Sequence, residues 1–157
     1  MEEKEAKRVS LKLMETADAA YFSTIDSEGF PHTGAMVNFR NKEQFSDLTS
    51  TFEGHEEDFL IYMTTDTASD QFKQIKANPK VSVYFCNPQQ IQGLILTGEI
   101  EVVTDMDIKK QLWQDDWKIY YHGGFDSPEY NILCLKPRVG KFWSATTPKP
   151  VEFKLSR

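Results

Sequence analysis

The residues best placed to do chemistry in this chain are a hydroxyl-rich run, Thr64-Thr65-Asp66-Thr67-Ala68-Ser69. It follows the apolar stretch Phe59-Leu60-Ile61-Tyr62-Met63 and precedes a short amphipathic segment carrying Phe72 and Ile75. Hydroxyls and free N–H groups gathered at a helix N-terminus suit a phosphate, because the helix dipole and the donors both favour negative charge. The same composition also serves a capped helix with no ligand, since Ser69 is a good N-cap. Residue types alone leave both readings open. A second cluster is aromatic: Trp113, Trp117, Tyr120, Tyr121 and Phe125 surround Gly123-Gly124. Such a cluster makes a stacking wall for a planar ligand or the anchor of a subunit interface.

Other chemistries are poorly served. His32, His55 and His122 are dispersed, and Cys86 and Cys134 sit singly in apolar runs, so no metal-ligand spacing is visible. Asp115 and Asp116 are adjacent and diverge on a helix or turn, which argues against a carboxylate dyad. Residues 54–58 read as a solvated acidic loop. With no nucleophile triad either, any redox chemistry would belong to a cofactor that the protein orients. Eighteen Lys+Arg against 24 Asp+Glu give a net charge of −6 and a pI near 5.1, the wrong sign for neutralising nucleic-acid phosphates. No apolar stretch approaches the ~20 residues of a membrane span, and the start Met1-Glu2-Glu3-Lys4-Glu5 is acidic. The expectation is a cytoplasmic protein with neither nucleic acid nor membrane as partner.

These candidate residues need a scaffold. At 157 residues, 39% of them hydrophobic, the chain is long enough for one domain with a real core, taken as residues 1–157. Val9, Leu13 and Ala17 recur at four-residue spacing and predict a helix over 4–17. Ala19–Ile25 and Pro31–Phe39, joined through Asp26-Ser27-Glu28-Gly29, predict a hairpin. An acidic excursion then runs from Arg40 to Asp58. A third strand is expected at Phe59–Met63, a helix capped by Ser69 and stopped at Asn78-Pro79, and strands at 80–86 and 93–103. Thr104 and Asp107 resemble a capping box for a further helix. A last strand is expected at 132–142, and a C-terminal extension, 144–157, in which Val151, Phe153 and Leu155 alternate. Locally linked strands without a βαβ rhythm imply a mainly β fold, an antiparallel barrel with covering helices over about 19–143.

Several segments appear in an order that resembles a known group. They are Gly29-Phe30-Pro31-His32-Thr33-Gly34-Ala35-Met36, then Phe59 to Pro79, then Leu96-Thr97-Gly98-Glu99-Ile100. Trp113, Trp117, Tyr120-Tyr121-His122-Gly123-Gly124, Ser127-Pro128-Glu129-Tyr130 and a closing Phe142-Trp143 follow. The series, over about residues 5–143, is similar to the general stress protein branch of the pyridoxamine 5'-phosphate oxidase-like, FMN-binding split-barrel superfamily. The resemblance implies a six-stranded antiparallel split β-barrel that forms a homodimer, with FMN sites at the interface lined by both subunits. It also implies a possible flavin-dependent oxidoreductase of unassigned substrate. It places Thr33, Gly34, Ala35 and Met36 along the flavin ring and ribityl chain, and Thr64, Thr65, Ser69 and Gln71 around the phosphate. Trp113, Trp117 and Trp143 would line the interface or the far wall of the ring.

The sequence departs from that pattern at two positions. Gly34 stands where the family commonly has Arg, and Gln71 where it commonly has Lys. A phosphate carries nearly two negative charges, and hydrogen bonds to a charged group contribute about 1.5–3 kcal/mol each, so this pair of changes weakens FMN retention. Arg40 lies too far along the strand to substitute, and Lys73, two positions after Gln71, points to a different side of the helix. The alternative reading is a non-catalytic split-barrel binding or interaction protein that has lost tight FMN binding.

Overall fold

A computed structural model describes residues 1–155; Ser156 and Arg157, the end of the 144–157 extension, lie outside the described residues. Helix α1 (Glu3–Thr16) opens with Glu3 and Glu5 at its positive end and buries Ala6, Ser10, Leu13 and Met14. Its C-terminal carbonyls are met by two asparagines. Asn38 donates to the carbonyls of Met14 (2.8 Å) and Ala17 (2.9 Å), and Asn41 donates to Ala17 (3.0 Å). That docking explains why the second strand stops at Val37 and not Phe39: Asn38 and Phe39 turn inward and are buried.

Strands β1 (Ala19–Ile25) and β2 (Pro31–Val37) form the expected hairpin. The Asp26 carboxylate accepts from the N–H groups of Glu28 and Phe30, and Gly29 takes φ +88° to close the turn. After a 3₁₀ segment at Ser46–Phe52, β3 spans Ile61–Asp66, later than its apolar signal at 59–63 suggests. Phe59 sits at φ 57° and breaks the extension, while Thr64, Thr65 and Asp66 pair in register with β6 (Tyr130–Leu135). Helix α2 (Asp70–Ala77) follows, capped by Ser69 as expected. Strands β4 (Lys80–Asn87) and β5 (Gln92–Val103) come next, then α3 (Met106–Leu112). The α3 cap is Asp105, which accepts from the Asp107 N–H at 2.9 Å; Thr104 does not cap.

The strand expected at 132–142 is two, β6 and β7 (Val139–Ser144). Pro137 has no N–H to donate, and the chain bends there. The long β5 then serves both partners, pairing with β7 through Gln92–Thr97 and with β6 through Ile100–Val103. A short β8 (Val151–Lys154) from the C-terminal extension adds to β7. The main path has six strands in the order β2-β1-β4-β5-β6-β3, curled so that its ends, β2 and β3, lie side by side without ladder pairing. This is a split barrel, and the β2–β3 gap is its split.

Two cores hold it together. The main one, inside the barrel and under α1, includes Phe22, Met63, Val83, Phe85, Leu94, Leu96, Leu133 and Phe142. The second gathers Phe39, Leu48, Phe52, Leu112, Tyr130 and Ile132 beneath the partly buried Trp113, Trp117 and Tyr121. Tyr130 lies 5.1 Å from Trp113 and 5.3 Å from Tyr121, ring to ring. Among the described residues no helix is long and apolar enough to cross a membrane.

Candidate ligand site at the barrel split

The alternation of β3 decides which hydroxyls can meet. Ile61, Met63 and Thr65 are buried on one side, while Tyr62 and Thr64 face the other, where Tyr62 packs on the second core. Thr65 joins Ser69, hydroxyl to hydroxyl at 2.9 Å, and the Ser69 oxygen accepts from the Phe72 N–H at 3.1 Å. Thr64, expected beside Thr65, faces away from it: adjacent strand residues point to opposite faces, and its hydroxyl is buried without a hydrogen-bond partner.

Gly34 pairs with the fully buried Phe22 and faces inward, towards the first turn of α2. A Cβ at this position would lie 2.5 Å from Nε2 of Gln71. Gly34 and Gln71, singled out separately in the sequence, are thus in contact. Met36 shares the inward face and packs against the main core, whereas Thr33 and Ala35 turn outward. The Thr33 hydroxyl bonds that of Ser23 at 2.7 Å. Within one protomer, then, two pairs form at the start of α2, Gly34 with Gln71 and Thr65 with Ser69. Trp113 and Trp117 do not join them, because both pack on Tyr130 in the second core. Trp143 lies on the outer face, where it meets Tyr84 above Gly93.

Sequence reasoning missed two contributors. Thr24, fully buried on β1, donates to Oε1 of Gln74, one turn beyond Gln71 on α2. A threonine at an inward position of an apolar strand was the available signal. The other is the role of Asp66, within the hydroxyl-rich run, in holding the turn: its carboxylate accepts from the Ala68 N–H (2.7 Å) and its carbonyl from the Ser69 N–H (3.0 Å).

These bonds test whether the phosphate of FMN fits. The Thr67 N–H donates to the Glu129 carbonyl, and the Thr67 hydroxyl to that of Pro128. With Ala68, Ser69 and Phe72 also engaged, most donors before α2 already have partners within the chain. Among the described residues no cation joins the set. His32 is held by Asp26 at 2.7 Å, and Lys73 lines a surface hollow with Asp26 and Asp70. Arg40 is buried elsewhere, donating to the carbonyls of Leu60 and His55. Asp66 and Asp70 add negative charge, so the residues present do not fit a phosphate dianion. Among the described residues there is also no group of three His, Cys, Asp or Glu arranged to hold a metal.

Comparison with known proteins agrees with this architecture. No curated protein matches the chain. A solved structure of a protein related to general stress protein 26, from Clostridium acetobutylicum, is 25% identical and has a TM-score of 0.75, over 98% of this chain and 96% of its own. The general stress protein 26 of Bacillus anthracis superposes with a TM-score of 0.71 at 19% identity, covering 95% of this chain and 98% of its own. A heme binding protein from Mycobacterium smegmatis shares the fold, with a TM-score of 0.67 at 10% identity over 95% of this chain and 57% of its own. The family model for pyridoxamine 5'-phosphate oxidase like proteins matches residues 31–156, and with the split barrel in place the chain belongs to that family.

Proposed function

We propose that this protein is a homodimeric split-barrel binding protein that takes a small ligand at the β2–β3 split and does not retain FMN. The observation that carries this reading is the contact of Gln71 with Gly34, in a site whose other polar groups are neutral or acidic. The expected result is a colourless purified protein whose tryptophan fluorescence is unchanged by high micromolar FMN. Co-purification of stoichiometric flavin would overturn it. A second reading, a flavin-dependent oxidoreductase, is favoured by family membership and by the 25% identical structure, described as of the pyridoxinephosphate oxidase family. The same titration decides between them.

One face of the sheet supports dimerisation. Tyr21, Ala35, Tyr84 and Ile95 form a row across β2-β1-β4-β5, flanked by Val37 and Trp143. Tyr21, Val37 and Trp143 remain 37–38% exposed, which is unusual for a contiguous apolar surface with no partner. Light scattering at micromolar concentration is expected to give a dimer mass, and Tyr21→Asp with Trp143→Asp a monomer. A wild-type monomer would contradict the proposal.

A further inference from the structure

We infer that Gln71 and Gly34 form a charge-selective plug in the barrel split, which refuses phosphate-bearing ligands and admits uncharged polar ones. The inference deepens the proposed function and rests on its reading of the split as the ligand site. The inward-facing polar side chains that β1, β3 and α2 bring to this end of the barrel are neutral: Thr24 bonded to Gln74, Thr65 bonded to Ser69, and the Gln71 amide against Gly34. The charged groups around them are Asp66, Asp70, the Asp26–His32 pair and Lys73, which lies in the outer hollow beside Asp26 and Asp70, so the carboxylates outnumber the cations.

The plug is movable. Gln71 Nε2 is the far end of a flexible side chain, and its amide offers two donors and an acceptor. A ligand hydroxyl or amide can displace it and exchange hydrogen bonds one for one. A phosphate that displaced it would meet the bare backbone of Gly34, with no cation to offset the loss of its hydration. Selection therefore lies at position 71, where a cation would stand in the first turn of α2 opposite Gly34.

Thermal unfolding in inorganic phosphate and in chloride of equal ionic strength tests this directly. Phosphate stabilises proteins generically, so the variants are compared with one another. Wild type and Gln71→Ala are expected to show the same shift in Tm, and Gln71→Lys a shift larger by a few degrees, as for a ligand that binds only the folded state. Gly34→Arg offers a second placement of the cation should Gln71→Lys fold poorly. A phosphate shift that is larger in wild type than in Gln71→Ala overturns the inference, as does the absence of any gain in both cationic variants. A parallel titration compares riboflavin with FMN, which differ by the phosphate alone. FMN binding ten times tighter than riboflavin overturns the plug. Failure of the binding-site reading would look different, with both flavins silent while the phosphate gain of Gln71→Lys persists.

Discussion

Arg40→Ala is expected to destabilise the protein by about 3–5 kcal/mol, the combined loss of two buried hydrogen bonds and of packing against an aromatic ring. Arg40 is 4% exposed, and burial holds its guanidinium below the usual arginine range, with Glu15, Asp58 and Glu56 supplying the opposing attraction at longer range. Nε donates to the Leu60 carbonyl and an Nη to the His55 carbonyl, both at 2.8 Å, while the plane lies 4.6 Å from the centre of the Phe52 ring. Alanine leaves two carbonyls without donors, at roughly 1–3 kcal/mol each, and a void against Phe52. The excursion between β2 and β3 is fastened to the barrel at this point, so the residues around His55 to Leu60 should also lose amide protection. Arg40→Lys keeps the charge but not the planar fork, and should recover only part of the loss. Urea unfolding with an unchanged m-value checks the prediction; a loss under 1 kcal/mol would show that the guanidinium is not what anchors this segment.

The role of Arg40 also shows where sequence reasoning reached its limit. Its position along β2 excluded it as a stand-in for the missing cation, and its burial among carbonyls agrees. What engages it instead could not be read from spacing, because Leu60 and His55 approach only when residues 40–58 fold back. Hairpins, the Ser69 cap and the helix periods were legible, since each depends on residues within one turn or one strand of another. The start of β3 was not. Apolar character pointed to 59–63, whereas pairing with β6 extends the strand through Thr64 and Thr65 and so sends their hydroxyls to opposite faces. The packing of the aromatic segment was not legible either: Trp113 and Trp117 have the composition of an interface, and within the protomer they also pack with Tyr130 and Phe39 in a second core. Gly34 and Gln71 stood out singly as residue types. Their contact, 37 residues apart in sequence, belongs to the closure of the barrel.

The same closure makes the C-terminal extension part of the fold, and Gly140 and Phe153 carry that claim. They face each other across the β7–β8 pair, and a Cβ on Gly140 would fall within the space of the Phe153 ring. The ring cannot swing aside, being 2% exposed and 5.6 Å from Phe59, with the Lys7 ammonium 5.8 Å from its centre. Phe153→Ala should therefore cost about 3–5 kcal/mol, the usual loss for a buried phenylalanine, and Gly140→Ala about 1–3 kcal/mol from overpacking. The two changes occupy one space, so their effects should not add. In Gly140→Ala with Phe153→Leu the methyl enters volume that the smaller side chain vacates, and the double variant should be more stable than the sum of the single changes by ~1 kcal/mol or more. Denaturant unfolding of the four proteins in the cycle measures this coupling. Strict additivity would mean that β8 does not pack on β7 in solution, and that residues 151–155 contribute little to the barrel.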